Sequence, residues 1–205
     1  MRGYELHGSM TYPHEKDIFE MLMSSWKVLM AQAEKKNISF TLNGDLVDVV
    51  VPVTRYLVDV LRDDLSMMGT KRACDQGVCG TCSIIMNGKL VSSCLTLAVR
   101  ADGAAIITIE GLGSLEEGLH SLQESFARHG ATQCGYCTPG MIVSAFSLLK
   151  ENPNPTVSEI KHWLTGNLCR CTGYQKIVDA ISSVAEGRTE PRVLSGVEII
   201  KNYED

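Results

Sequence analysis

QCGYCTPG, at residues 133–140, is the stretch of sequence that decides the fold of this chain, together with the distant triplet Cys169-Arg170-Cys171. Cys134 and Cys137 would join the two later cysteines in a four-thiol site for a metal cluster. Pro139 opens a long apolar run with helical spacing, and proline is tolerated in the first turn of a helix. Because a helix N-terminus has free N–H groups and a positive dipole end, it favours an anionic cluster beside these thiols.

Length and composition are those of a globular protein. A chain of 205 residues can form one sizeable domain or two small ones. The net charge of −5 and the lack of a basic patch argue against nucleic-acid binding. No apolar run has the form of a signal peptide or the length of a membrane span, so we expect a cytoplasmic protein. Thiols stay reduced there, so the eight cysteines are more typical of metal ligands than of disulfides.

Residues 1–36 form an N-terminal extension in which apolar side chains recur at intervals of three and four. This pattern predicts an amphipathic helix from His14 to about Lys36. Such a helix would either pack on its own domain or dock a partner, and the sequence leaves both interpretations open. The residues of the apolar stripe are Ile18, Leu22, Trp26, Leu29 and Ala33.

Residues 37–112 have the alternation and turn signals of a small sheet. Asn-Gly pairs at 43–44 and 87–88 predict two hairpins. A short helix with an apolar face of Tyr56, Leu57, Val60 and Leu61 would lie across the sheet. The predicted strands are Ile38–Leu42, Val47–Val51, Ser83–Met86, Lys89–Ser93 and Ile106–Ile109.

After residue 112 the apolar period changes from two to about three and a half, which predicts helices. Four short helices imply a compact bundle over residues 113–186. Residues 187–205 are expected to form an extended tail. The fold class is therefore α+β. The predicted helices are one carrying Leu119, Leu122 and Phe126, one from Pro139 to Lys150, one from Thr156 with Glu159 as capping partner, and one from Thr172 with Gln175 as capping partner.

The first cysteine set is Cys74, Cys79, Cys82 and Cys94. Gaps of four and then two residues, with a fourth cysteine further along, are typical of plant-type [2Fe–2S] ferredoxins. Glycines between these ligands let the backbone approach the sulfides, where its N–H groups can help to set the redox potential. Zinc or disulfides are the alternatives, but zinc sites more usually show two closely spaced pairs.

The second set is Cys134, Cys137, Cys169 and Cys171. Spacing alone allows either zinc or an iron–sulfur cluster, since each takes four thiolates. The single-residue gap between the last two cysteines is unusual for zinc. Both pairs also precede predicted helix starts, so two helix dipoles would converge on one anionic group. These features favour a cluster and leave zinc open.

Three motifs together resemble the iron–sulfur subunit of the xanthine oxidase family of molybdenum hydroxylases. They are KRACDQGVCGTC at 71–82, QCGYCTPG at 133–140 and GNLCRCTGY at 166–174, within a likeness over about residues 37–186. The resemblance implies an N-terminal plant-type ferredoxin-like (β-grasp) domain followed by a four-helix-bundle domain, each with one [2Fe–2S] cluster. Ala73 departs from the pattern, where the family more often has glycine, and the two terminal extensions exceed the usual core.

The same resemblance implies the partners and the role of the chain. The second cluster would lie near molybdopterin, of the cytosine dinucleotide type, in a large subunit, with Gln133 and Cys171 contacting the pterin. The first cluster would face FAD in a medium subunit, within a dimer of heterotrimers. The chain would then be a non-catalytic electron-transfer subunit of an oxidoreductase. The alternatives are a free two-cluster ferredoxin, a fragment of a single-chain enzyme, and a zinc- or disulfide-stabilised interaction module.

Overall fold

The computed structural model describes residues 34–113 and 118–187, together with positions 16, 19–21, 23 and 24. Residues Met1–Glu34 and the chain from Lys35 onward form two separate compact units. The predicted N-terminal helix lies mostly outside the described residues, although the described positions within it are helical. The predicted tail from 188 onward lies outside them entirely. Within the described part of the chain, no helix is long and apolar enough to cross a bilayer.

The N-terminal helix does not extend to Lys36 as predicted, because the first strand already begins at Lys35. Lys35 and Lys36 pair with Pro52 and Val51 at the end of an antiparallel ladder. The Lys36 ammonium also lies 2.8 Å from a carboxylate oxygen of Asp102. Strand pairing and this ion pair therefore override the helical periodicity of the sequence.

Five strands form one mixed sheet in the order β2-β1-β5-β3-β4. Strand β5 runs parallel to β1 and antiparallel to β3, and it joins the two hairpins into one sheet. Both Asn-Gly turns are present as predicted, with positive φ at all four residues. The strands are β1 (Lys35–Leu42), β2 (Asp45–Pro52), β3 (Ser83–Met86), β4 (Lys89–Ser92) and β5 (Ala105–Ile107).

Two sequence predictions in this region were wrong in detail. Strand β5 ends at Ile107, because the Thr108 N–H donates to the side-chain oxygen of Asn43 at 2.9 Å and the chain then turns. The helix across the sheet comprises α1 (Leu57–Asp59) and a π-helical turn, Val60–Asp64. Tyr56 does not belong to its buried face: it is 41% exposed, because its extended backbone pairs with Leu97.

Helices α2 (Ser121–Arg128), α3 (Thr138–Glu151), α4 (Val157–Trp163) and α5 (Gln175–Ala185) follow the sheet. They share a core with the sheet, since Ile85 and Ile107 belong to the same buried cluster as the helical apolar residues. The neighbouring Ile84 and Ile106 belong to the cluster under α1. Because successive strand residues point to opposite faces, the sheet lies between α1 and the helices.

The observed starts of α3, α4 and α5 can be compared with the starts predicted from the sequence. Thr156 and Glu159 form the predicted capping box of α4. Helix α3 begins at Thr138, one residue before the predicted start. The prediction for α5 was wrong, because this helix begins at Gln175 and not at Thr172. Residues 172–174 instead belong to the cysteine loop, where the Tyr174 N–H donates to the Thr172 hydroxyl at 3.2 Å.

Candidate metal centres

The four cysteines of the first set come from two elements that hydrogen bonds hold together. Cys74, Cys79 and Cys82 lie in the loop before β3, and Cys94 lies in the 3₁₀ turn Ser93–Leu95 after β4. The Ser93 N–H and hydroxyl both donate to the Cys82 carbonyl, at 3.2 and 2.7 Å. This double contact fixes Cys94 beside Cys82, and Cys79, Cys82 and Cys94 are all buried.

The pKa values of the thiols in this set differ because their surroundings differ. The Gln76 N–H lies 3.4 Å from Cys74 Sγ and lowers the pKa of that thiol to about 6. Burial, and then a hydrogen bond with Cys82, raises the pKa of Cys94 to about 12. Negative charge at Cys74 adds to the same rise, so these sulfurs interact with one another as members of one site.

The second set joins two loops that are distant in sequence. Cys137 occupies the N-cap position of α3, and Cys169 and Cys171 lie in the loop before α5. Cys171 Sγ donates to Cys134 Sγ across 3.4 Å. Burial, and then a hydrogen bond with Cys169, raises the pKa of Cys137 to about 12. The structure therefore brings all four predicted cysteines of this set together as contacting pairs.

The two sets differ in their exposure to solvent. Three cysteines of the first set are buried, whereas Cys134 and Cys171 of the second set are exposed. Gln133, which directly precedes Cys134, is exposed as well. The two residues predicted to contact a pterin, Gln133 and Cys171, therefore belong to one exposed region of the second site. A partner molecule could reach both without unfolding the loops.

Several polar side chains contact the cysteines, although the sequence analysis did not predict this role for them. The hydroxyl of Thr81 lies 3.2 Å from Cys79 Sγ, and that of Thr172 lies 3.1 Å from Cys169 Sγ. The Tyr174 hydroxyl accepts from the Cys169 N–H at 2.8 Å. All three residues lie within three positions of a cysteine and inside the motifs at 71–82 and 166–174. This proximity to the cysteines is the sequence signal that could have identified them.

The donor set fits an iron–sulfur cluster better than a single ion. Within the described part of the chain, no three Cys, His, Asp or Glu side chains converge as they would around one metal ion. A [2Fe–2S] cluster is wider than one ion and is held by four thiolates, two at each iron. All eight cysteines are free thiols, in two sets of four that contain contacting pairs, and this arrangement fits two such clusters.

Two protein-family descriptions match the chain. The 2Fe-2S iron-sulfur cluster binding domain matches residues 32–117, and the [2Fe-2S] binding domain matches residues 108–182. The first range contains Cys74, Cys79, Cys82 and Cys94, and the second contains the other four cysteines. The matches therefore support iron–sulfur clusters as the cofactors of this chain.

Curated relatives and solved structures narrow the family further. The chain is 48% identical over 149 residues to the nicotine 6-hydroxylase small subunit of Paenarthrobacter nicotinovorans, covering 73% of this chain and 89% of that one. It is 46% identical over 153 residues to the nicotinate dehydrogenase small FeS subunit of Eubacterium barkeri, covering 74% and 96%. A chain of the quinoline 2-oxidoreductase crystal structure from Pseudomonas putida 86 superposes with a TM-score of 0.71 at 44% identity, covering 83% and 99%.

These relatives are small iron–sulfur subunits of oxidoreductases, and the match extends over most of their length. The chain covers nearly the whole of the matched crystal chain, and the two chains share one fold. The protein therefore belongs to the small [2Fe–2S] iron–sulfur subunits of the xanthine oxidase family of molybdenum hydroxylases.

Proposed function

We propose that this chain is the electron-transfer subunit of a multi-subunit molybdenum hydroxylase and connects a molybdenum centre in another chain to an electron acceptor. The observation that carries this proposal is the presence of two four-cysteine sites whose loops contact each other within one compact unit. A relay needs two redox centres at a fixed separation. A zinc-stabilised interaction module has no such need.

We assign Cys74, Cys79, Cys82 and Cys94 to the first cluster, and Cys134, Cys137, Cys169 and Cys171 to the second. When bound, [2Fe–2S] clusters accept and release single electrons at potentials that proteins tune within about −700 to +450 mV. The protein holds the thiolates, keeps water from the three buried cysteines of the first set, and donates hydrogen bonds to the sulfurs. At the second set, the N-terminus of α3 also favours negative charge beside Cys137.

The proposed domains divide the chain between the two sites. Residues 37–112, together with Lys35 and Lys36 at the start of β1, form the plant-type ferredoxin-like (β-grasp) domain, and residues 113–186 form the four-helix [2Fe–2S] domain. This division is supported by the observed elements, since the strands precede residue 108 and helices α2 to α5 follow residue 120. The residues before β1 and residues 187–205 are then extensions outside these two domains.

Exposure supports an orientation for the relay. Gln133 and Cys171 are exposed at the second site, so we assign to them contact with molybdopterin, of the cytosine dinucleotide type, in a large subunit. The first cluster then transfers electrons to FAD in a medium subunit, and the complex is a cytoplasmic dimer of heterotrimers. The chain itself contributes no catalytic residue, because the reacting substrate binds at molybdenum in the large subunit.

Low-temperature EPR of the dithionite-reduced native preparation tests the proposed function, with iron, sulfide and molybdenum assayed on the same sample. We expect two distinct S = 1/2 signals of [2Fe–2S] clusters, and molybdenum that copurifies on larger chains. Two cluster signals on a chain that purifies alone without molybdenum would instead identify a free ferredoxin. Zinc without an EPR signal would reject the electron-transfer function altogether.

A further inference from the structure

We propose that Arg72 is the positioning residue for Cys74 at the first site. Its guanidinium joins Asp75, which follows Cys74 in the chain, to Asp59 of helix α1. The proposal rests on one part of the proposed function, the assignment of a cluster to the first site, and it does not depend on the partners or on the electron acceptor. It adds a side chain outside the cysteine set that determines where one of the four sulfurs lies.

Cys74 differs from the other three cysteines of its set in its exposure. Cys79, Cys82 and Cys94 are buried, whereas Cys74 is partly exposed. Val58 of α1 belongs to one buried cluster with Cys82 and Cys94. Packing against the helix therefore fixes these two sulfurs, and the sulfur of Cys74 depends instead on polar contacts of its loop.

The loop after Cys74 has an uncommon backbone conformation. Asp75 has a φ of +53°, in the left-handed region that few residues other than glycine adopt. The N–H of the next residue, Gln76, lies 3.4 Å from the Cys74 sulfur. A residue in such a conformation persists when its surroundings hold it there. The contact between the Gln76 N–H and this sulfur therefore depends on what holds Asp75.

Arg72 contacts Asp75 and Asp59 with two different nitrogens of its guanidinium. Its Nε donates to a carboxylate oxygen of Asp75 at 2.9 Å, and its Nη1 donates to a carboxylate oxygen of Asp59. Asp59 directly follows Val58, the α1 residue that packs on the buried sulfurs. The same short helix thus contacts the buried part of the site through one side chain and the exposed loop through the next.

The backbone at Arg72 is fixed by separate contacts. The Tyr136 hydroxyl donates to the Arg72 carbonyl at 2.6 Å, and the Lys71 N–H donates to the Thr81 carbonyl at 3.1 Å. A guanidinium presents its N–H groups in a rigid planar fork, whereas a lysine ammonium is a single point charge. Because the backbone is already held, the arginine side chain acts as a fixed link between the helix and the loop.

A single exposed ion pair contributes little to stability, because water and salt screen it. The contacts of Arg72 differ from that case, since the Asp59 side chain is only 18% exposed and both contacts share one guanidinium. Arg55 offers a comparison within the same chain. It lies 3.3 Å from both Asp63 and Asp64, which are adjacent in the π-helical turn after α1. These contacts do not join the helix to a cysteine loop, so Arg55 is the matched control for Arg72.

Arg72→Leu in the native complex tests the positioning role, with Arg55→Leu as its control. EPR of the dithionite-reduced samples would be recorded during incubation with bathophenanthroline disulfonate, an iron chelator. Cys79→Ser identifies the signal that belongs to the first site. We expect R72L to change the g values of that signal alone and to lose it several-fold faster than the wild type. R55L should match the wild type in both measurements, and the signal of the second site should stay unchanged in both variants.

Asp59→Ala tests whether the helix acts on the loop through Arg72, because Asp59 lies on α1 and outside the cysteine loop. We expect D59A to accelerate the loss of the first signal as R72L does. The double variant should lose that signal no faster than R72L alone, since both changes break the same link. Asp63→Ala, which removes the carboxylate paired with Arg55, is the control for this substitution.

Wild-type g values and a wild-type rate of signal loss in R72L would overturn the proposal. Additive effects of D59A and R72L would also overturn it, because Asp59 would then act without Arg72. If R72L fails to assemble the first site, D59A decides by its g values and rate, since it leaves the loop sequence intact. Absence of a cluster signal from the first site of the wild type would instead reject the assignment of that cluster. A chain that purifies alone with both signals would reject the hydroxylase function and leave the test of Arg72 unchanged.

Discussion

A threonine hydroxyl lies next to one sulfur in each cysteine set. Each of these two residues can therefore adjust the redox potential of one site without changing the other. The Thr81 hydroxyl is buried beside Cys79, and the Thr172 hydroxyl lies beside Cys169. A donated hydrogen bond stabilises the more negative, reduced form of a cluster and therefore raises its potential. Because each hydroxyl serves a different set, the two potentials can be changed independently.

Replacing each threonine with valine should lower the potential of one cluster only. Valine has nearly the same shape but donates no hydrogen bond. A net loss of roughly 1 kcal/mol for one hydrogen bond corresponds to about 40 mV in a one-electron couple. A redox titration followed by EPR would measure both potentials in each variant. Thr81→Ser and Thr172→Ser keep the hydroxyl and serve as controls, and a shift in both clusters from one valine would contradict the assignment.

The division of the cysteines into two sites predicts how single ligand losses behave. Cys79→Ser should remove the EPR signal of the first cluster, and Cys137→Ser that of the second, while the other signal remains in each case. The physical reason is that the contacts between sulfurs join members of the same set, such as Cys137 and Cys169. Iron and sulfide content should fall by about half in each variant. Loss of both signals from either change would mean that the sets are not independent.

At the scale of single elements, the N-terminus of α2 contains a buried histidine that caps the helix. The His120 Nδ1 atom accepts from the Leu122 N–H at 3.2 Å, and its ring packs edge-on against Phe146. Burial lowers the pKa of His120 below the usual 6.5. The neutral imidazole is therefore the form that the folded protein requires, since a protonated Nδ1 cannot accept this bond.

His120 should make the stability of the protein depend on pH in a defined direction. Because its pKa is lower in the folded state, the unfolded chain binds the proton more readily. The stabilisation is then fully present above pH 6.5 and is lost as the pH falls from there toward the folded-state pKa. His120→Asn keeps a capping oxygen without a titrating group. Thermal unfolding of both proteins between pH 5 and 8 should show a steeper pH dependence for the wild type, and equal slopes would contradict this role.

The elements that the sequence predicted correctly are those determined by interactions between residues close together in the chain. The Asn43-Gly44 turn and the Thr156–Glu159 capping box depend on residues within a few positions of each other, and both are present. The start of α5 was missed because Thr172 has the sequence of a cap, yet its hydroxyl and N–H both contact Cys169 Sγ. That competition arises only once the cysteine loop is folded, so no local pattern could reveal it.

At the scale of the whole molecule, the proposed contact of the exposed Gln133 with the pterin can be tested in the assembled complex. Gln133→Ala should change the EPR signal of the molybdenum centre while both cluster signals stay as in the wild type. The reason is that the side-chain amide would lose its hydrogen bond to the pterin, whereas the cysteines would keep their positions. Thr132, which is also exposed, offers a neighbouring control as Thr132→Ala. An unaltered molybdenum signal and unaltered turnover in Q133A would reject this contact.

The sequence predicts two sets of four cysteines from their spacing, and the structure brings cysteines of the same set into contact. The sequence could not predict how the loops meet. Asn167 contacts Gly80 and Gly140, which lie far from it in the sequence, and its burial depends on the close approach of both. Such an arrangement becomes visible only when the sheet and the helices are packed together.

The short distance between Cys134 and Cys171 also bears on how the protein must be handled and assembled. Their sulfurs lie 3.4 Å apart and both residues are exposed, so in a chain without iron only a small movement would bring them to disulfide bonding distance. Exposure to air would then lock the second site in a form that cannot accept iron, whereas Cys79, Cys82 and Cys94 of the first site are shielded by burial. Iron insertion at the second site would therefore have to precede oxidation of this pair of thiols.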